Sequence, residues 1–308
     1  MKGEWCHRAD ELDGEGVALW NASLIQRDIP DDEYRAVCAA LRLAGFRLIE
    51  AGIDQKPSID SLIHVLQLAS KVGASLADVG ESNLAASVLG SAAKYEESLR
   101  VAEDPKSEHA QRRARAVILY YTSRMEAAWQ EGNTGVAEFM LGKITESDQY
   151  LSLLTPSDRK ALAGKLLAIG KGVLKTTLPS DLAGDMTNES IKWIQRAFSI
   201  MEPLDDAADL GRGQLRRSIL RTLSRAYFLA SSQDPENLAR AEAALQELID
   251  SVDTPLDHTS AEYQQLRWMR IAILKRRGAA HAPLLEAFQS IIDHMEFSER
   301  NIMDILQE

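Results

Sequence analysis

Along most of the chain, apolar residues return every three or four positions, and strand-like alternation is nearly absent. The stretch Ser190–Met201, SIKWIQRAFSIM, shows the pattern at its sharpest. Lys192, Gln195, Arg196 and Ser199 fall at i, i+3, i+4 and i+7, which predicts one wet stripe on a helix. Trp193 and the remaining apolar or small residues then face the other way. Within that face Ser190, Ile194, Ala197 and Met201 alternate small and large. Small residues let a neighbouring helix approach to about 8–10 Å, and large ones fill the space beside it. Such a helix is built to be packed on both flanks.

Short polar breaks separate similar stretches: Pro30-Asp31-Asp32, Gln55-Lys56-Pro57, Asp104-Pro105-Lys106, Thr155-Pro156-Ser157, Asp234-Pro235 and Thr254-Pro255-Leu256. Proline at or near a first helical turn, after Asp, Ser or Thr, is a start signal because its missing N–H would have had no partner there. The resulting helices pair off about 40–50 residues apart, the scale of a helical solenoid. The small–large rhythm recurs in the second helix of four pairs. It reads Ala85, Leu89, Ala92; then Ala137, Leu141, Ile144; then Ser190, Ile194, Ala197; then Ala241, Leu245, Leu248. Gly132-Asn133 lies between Trp129 and Ala137 as the tight turn inside one pair. This spacing is that of tetratricopeptide-like hairpins. The expected fold is an all-α, right-handed superhelical α-solenoid of five to six helix pairs, with residues 1–308 forming a single domain. An irregular α-bundle is the competing architecture.

Composition narrows the partners more than the fold. The formal charge is −11 and the pI near 5.2, which argues against duplex nucleic acid as the main ligand. Cys6 and Cys38 form neither a disulfide framework nor a zinc spacing, so a reducing, intracellular setting is expected. No apolar run approaches the ~18 residues of a membrane span. The acidic, polar start MKGEWCHRADELD is unlike a secretion signal.

Several stretches approach known chemistry. Asp205-Asp206-Ala207-Ala208-Asp209 matches the DDxxD pattern with which all-α isoprenoid synthases bind Mg²⁺ and diphosphate. No second acidic triad follows it, and Pro203 with the subsequent DLGRGQ reads as an acidic inter-helix loop. Gly164-KLLAI-Gly170-Lys171-Gly172 misses a phosphate loop by one residue of spacing and lacks its Ser or Thr, so it reads as a packing helix. The six histidines never stand three to five apart. His64, beside an apolar stripe, is expected to be half-buried, and Cys38 to act as a small core residue. No catalytic residue, metal site or cofactor is expected.

Arginines offer the better binding candidate. Arg217, Arg221 and Arg225 recur every four positions, with Arg212 and Arg216 just before them. A row of guanidinium groups can grip acidic segments bidentately. On an inward helix of a solenoid it would line the concave binding surface. The plainer alternative is a solvated face whose arginine stems cover apolar surface. Arg112, Arg113 and Arg115 form a second cluster, and Lys275-Arg276-Arg277 ends a helix before Gly278. Leu284, Phe288, Ile291 and Met295 line the last full helix, and Ile302, Ile305 and Leu306 suggest a short capping helix.

Four segments carry a resemblance: DGEGVALWN at 13–21, NLAASVLGSAAKYEESL, ALAGKLLAIGKGVLK and ESIKWIQRAFSIMEPL. Together, over roughly residues 13–250, they resemble the meiotic sporulation and zipping scaffold family, the large tetratricopeptide proteins of the crossover-promoting, synapsis-initiating group. Leu19-Trp20-Asn21 and Lys192-Trp193-Ile194-x2-Ala197 are its sharpest points. The resemblance implies a nuclear, chromosome-associated, non-enzymatic hub that gathers XPF-like crossover factors and synaptonemal-complex components. Members of that family are several times longer, so the chain is expected to be a fragment, a domain or a shortened relative. A tetratricopeptide adaptor for another client, such as a chaperone tail or transport complex, is the alternative, and an Mg²⁺-dependent isoprenoid synthase a remote one.

Overall fold

The computed structural model describes residues 2–25, 31–54, 56–176, 183–202, 210–251, 261–294 and 303. Among these, regular structure is entirely helical. The helices are α1 (Lys2–Ala22), α2 (Asp31–Ala51), α3 (Ile59–Asp78), α4 (Ser82–Val101), α5 (Ala110–Gln130), α6 (Thr134–Thr145) and α7 (Asp148–Leu153). They continue as α8 (Pro156–Thr176), α9 (Ala183–Met201), α10 (Leu210–Ala230), α11 (Glu236–Asp250), α12 (Ala261–Arg277) and α13 (His281–His294). Two compact units are present, residues 1–158 and 159–308.

Local chemistry sets the helix ends. The Ser58 hydroxyl accepts the N–H of Ser61 at 3.1 Å, and the Asn133 side chain accepts that of Val136 at 3.2 Å. α8 starts at Pro156, as the Thr155-Pro156-Ser157 signal predicts, and Thr155 Oγ1 accepts the Asp158 N–H at 3.2 Å. Three first helices of pairs share one terminator. Gly80, Gly132 and Gly278 adopt φ of 82°, 74° and 69°, and the next residue's N–H returns to Leu76, Ala128 and Leu274. This is the Schellman geometry, which only a residue without Cβ enters cheaply.

Packing is between near neighbours in the chain, as a solenoid requires. In residues 1–158, α1 packs on α2, α3 on α4, and α5 on α6 and the short α7. First helices also touch first helices. α3 packs along α5, with Gln130 Nε2 donating to Asp78 at 3.0 Å and Arg112 paired with Asp60. Second helices touch second helices. Arg47 of α2 reaches Ser87 of α4 at 3.2 Å, and Tyr95 donates to Glu50 at 2.9 Å. In residues 159–308, α10 packs on α9 and α11, α11 on α12, and α12 on α13. Lys171 of α8 donates to Ser218 of α10 at 2.8 Å, and Arg276 of α12 lies 5.1 Å over the Phe228 ring of α10. These contacts tie α8 and α12 each to α10.

Tyr95 of α4 and Tyr121 of α5 each donate to a carboxylate on a second helix, Glu50 of α2 and Glu96 of α4. Burial, and then the neighbouring Glu50 and Glu96 carboxylates, push the Tyr95 and Tyr121 phenols well above the ordinary tyrosine range. A phenol whose folded pKa is raised gives stability that is complete below the unfolded value of about 10 and is lost as pH rises beyond it. Unfolding midpoints measured between pH 8 and 11 are therefore expected to fall above pH ~10. The fall should be shallower in the Tyr95→Phe/Tyr121→Phe variant, and an equal slope in both proteins would refute the assignment.

Two local expectations are corrected, and a third holds with an addition. Within DLGRGQ, Leu210 to Gln214 are helical rather than a loop: they open α10, whose first N–H groups need no i−4 partner. His64 is exposed rather than half-buried, because it shares the wet stripe of α3 with Ser61 and Lys71 while Leu62, Ile63, Val65 and Leu66 face in. Cys38 is buried at 6% exposure as expected, but its thiol also donates to the Ser23 carbonyl at 3.3 Å. The 205–209 acidic motif, Met295, and the Ile302, Ile305 and Leu306 expected to form a capping helix lie outside the described residues.

Candidate protein-docking surface

The seams between helices explain the repeated rhythm. Leu89, the large residue of the first set, sits over Gly73 of α3: a Cβ on Gly73 would stand 2.5 Å from Leu89 Cγ. Ile194, the large residue of the third set, sits over Gly170 of α8, where a Cβ would stand 2.6 Å from Ile194 Cγ1. The glycine is a hole and the aliphatic side chain its knob. Polar small residues do related work. Ser190 Oγ donates to the Gly170 carbonyl at 2.8 Å, and Ser224 Oγ to the Ala241 carbonyl at 2.9 Å. Both hydroxyls are buried and satisfied, so the bond that ties the helices offsets the cost of desolvating them.

Of the packing residues read from the sequence, Ala85, Leu89, Ala137, Trp193, Ile194, Ala197, Ala241 and Leu245 are all buried. Lys192, Gln195, Arg196 and Ser199 are all exposed, as the stripe predicts. Leu141 is only half-buried, since the described neighbours of α6 are α5 and the six-residue α7, too short to cover a full helix face. Trp20 is also half-buried. The Arg42 guanidinium lies 6.0 Å over its ring while donating to Ser23 and Ser75, so this indole fastens α1 to α2 and α3.

The cationic candidates separate by what they touch. Arg112, Arg113 and Arg115 are engaged structurally, by Asp60, by the Leu99 and Ala102 carbonyls, and by Asp158 at 3.0 Å. Arg216 pairs with Glu247 at 2.6 Å, and Arg277 with Glu242 at 2.8 Å. Arg221 and Arg225 are exposed and Arg217 half-exposed on α10. Arg212 lies in the first turn of the same helix, with its side chain outside the described residues. Sequence reasoning missed Lys171 and Lys175 beside this row, because their proximity depends on how α8 meets α10.

A hollow of about 500 Å³ opens among α1, α2, α3 and α5, lined by Asp10, Asp13, Asp54, Asp60, His64 and Arg112. Among the described residues no group of three or more His, Cys, Asp or Glu is arranged to hold a metal ion. No described helix is long and apolar enough to cross a membrane.

Stacked helical hairpins whose polar residues are spent on seams and surface define an all-α repeat protein of the solenoid class. The match to known families is specific within that class: residues 127–308 match the family described as Meiosis protein SPO22/ZIP4 like. The chain belongs to the SPO22/ZIP4-like meiosis protein family. The matched span includes the Trp193 helix and the arginine row, while Leu19-Trp20-Asn21 lies before it. No curated protein matches the chain. Among solved structures it is similar to the S. pombe nuclear import adaptor Nro1, at 11% identity and a TM-score of 0.45, covering 97% of this chain and 99% of that one.

Proposed function

We propose that this protein is a non-enzymatic scaffold that holds other proteins during meiotic crossover formation and chromosome synapsis, in the nucleus and on chromosomes. The family match over residues 127–308 carries this reading. The architecture supports it, since hairpins stacked in register offer long surfaces for docking. Residues 1–158 and 159–308 act, in this reading, as parts of one tetratricopeptide-like domain with right-handed superhelical pitch. Client proteins are expected to be crossover factors and synapsis components. Duplex nucleic acid is not an expected direct ligand, because the chain's net charge of −11 opposes it.

The test is recovery of identified partners. Tagged protein isolated from meiotic cells is expected to bring down crossover and synapsis proteins, identified by mass spectrometry, and to do so more than tenfold above a matched mitotic isolation. Recovery only of chaperone or transport components, equal in both cell states, would reject the meiotic role and favour a general adaptor.

A further inference from the structure

We propose that the hollow among α1, α2, α3 and α5 is a docking site for an arginine-bearing segment of a partner protein. The proposal rests on the scaffold reading and gives the partner a chemistry. The hollow exists because small residues line its base. Ala9 of α1 lies against Gly52, where a Cβ would stand 2.9 Å from the Ala9 carbonyl oxygen, so no side chain enters the space from that end. The rest of the floor is apolar, formed by Ile49 of α2, Ile53 just past it and Val65 of α3. Its volume of about 500 Å³ lies within the ~300–1,000 Å³ range of ligand pockets. Asp10, Asp13, Asp54 and His64 at the rim are exposed, so the hollow is open to a guest from solvent.

Charge around the rim is matched on one side and unmatched on the other. Asp60 of α3 is paired with Arg112 of α5 and lies 3.5 Å from His109 Nδ1. Arg112 is the only lysine or arginine among the described lining residues, and that pair engages it. Asp10 and Asp13 of α1, one turn apart and so on one face, and Asp54 just past α2 make no hydrogen bond or ion pair among the described residues. The backbone deepens the same potential. α2 ends at Ala51 beside the hollow, and the negative end of a helix dipole is ordinarily offset by a basic residue in the last turn. α2 has none there. α3 also begins at the hollow, but Asp60 and the Ser58 hydroxyl meet its positive end. Three unmatched carboxylates and a helix C-terminus without its usual cation call for a positively charged guest.

The arrangement selects the kind of cation. Among the described residues the carboxylates are not grouped to hold a metal ion, so the charge is spread over more than one point. A guanidinium suits that spread, since its planar fork of five donors can engage carboxylates bidentately. Arginine's aliphatic stem covers apolar surface, which matches the floor of Ile49, Ile53 and Val65. A lysine ammonium is a compact, more strongly hydrated point charge and gives up more on entering a half-apolar hollow. The backbone that carries the arginine stays outside, along the exposed acidic rim.

The experiment measures binding of a fluorescent six-residue peptide of alternating Arg and Ser to the full chain by anisotropy. Asp10→Asn/Asp13→Asn is expected to weaken binding at least about tenfold. His64→Trp, which fills the hollow and removes no acid, should weaken it severalfold. Glu138→Gln/Glu146→Gln, with the same charge change on exposed residues of the α6 hairpin, should leave it unaltered. The matching Lys and Ser peptide should bind more weakly than the Arg peptide. Circular dichroism checks that each variant is folded, and Asp54→Asn, which lies outside any helix, decides the matter if the α1 variant does not fold. No binding by the native chain, equal binding by the folded hollow variants, or an equal loss in Glu138→Gln/Glu146→Gln would overturn the proposal. So would tighter binding of spermine than of the peptide, which would make the guest a free polyamine. The two readings fail separately. Native protein that binds the peptide but recovers no crossover or synapsis proteins refutes the meiotic role alone. If Asp10→Asn/Asp13→Asn recovers all those partners normally and the native chain ignores the peptide, the arginine-segment proposal is the one refuted.

Discussion

Replacing Trp193 with alanine is expected to destabilise the protein by ~3–5 kcal/mol, the range for truncating a fully buried aromatic side chain. The indole is 1% exposed and flanked on its helix by Ile194 and Ala197, neither of which reaches solvent. Seams on both sides of α9 limit how far the site can collapse. Ile194 is fixed over Gly170 and Gln195 is held to the Tyr227 hydroxyl at 2.7 Å, so the helix cannot slide inward to fill the void. Urea unfolding gives the measure: the midpoint should fall with little change in slope. A midpoint unchanged from the native protein would show that the indole is not packed between hairpins. If the 1–308 chain is a single cooperative domain, one transition carries the whole shift.

The second large effect is expected at Leu89. Leu89→Ala should cost ~2–5 kcal/mol, because it empties a knob position that is 1% exposed. The partner glycine makes the prediction sharper. Gly73→Ala alone should be destabilising by ~1–3 kcal/mol, since its new methyl would meet Leu89 Cγ at 2.5 Å. Alanine's better helix propensity, about 1 kcal/mol, offsets only part of that. With Leu89 already truncated, the methyl enters the vacated space. The double variant should then be more stable than the sum of the two losses, with a coupling of at least ~0.5 kcal/mol. Strict additivity in a double-mutant cycle would mean that Gly73 and Leu89 do not share a seam.

The arginine row shows where sequence reading reached and where it stopped. Its four-residue spacing placed Arg217, Arg221 and Arg225 on one face of a helix, and that face is outward in the structure. The same spacing said nothing of Arg216, one position away, which turns to Glu247 of the next helix. Nor did it connect Lys171, some fifty positions earlier in the chain, to the same face. Arg112, Arg113 and Arg115 looked comparable as a basic cluster, yet tertiary contacts use them to hold α3, α4 and the start of α8. Charge spacing locates a face, and only the neighbour decides whether that face is available.

His64 carries the same lesson inside one helix. Apolar neighbours on either side of it in sequence suggested burial, but each residue turns the helix by ~100°, and position 64 falls between the buried stripes. The glycines give the converse. Gly170 was legible as part of a packing helix, while its role as the hole for Ile194 was not.

The sequence by itself determined the helices, their starts at Ser58, Asn133 and Pro156, the glycine stop at Gly132, and the buried side of α9. Those features arise from interactions within about four residues, so periodicity and capping groups are enough to specify them. The tertiary structure alone decided which knob enters which hole and which cations share a surface. Both depend on the rotation and offset of one helix against another, and these are fixed by side chains that can be fifty residues apart in the chain.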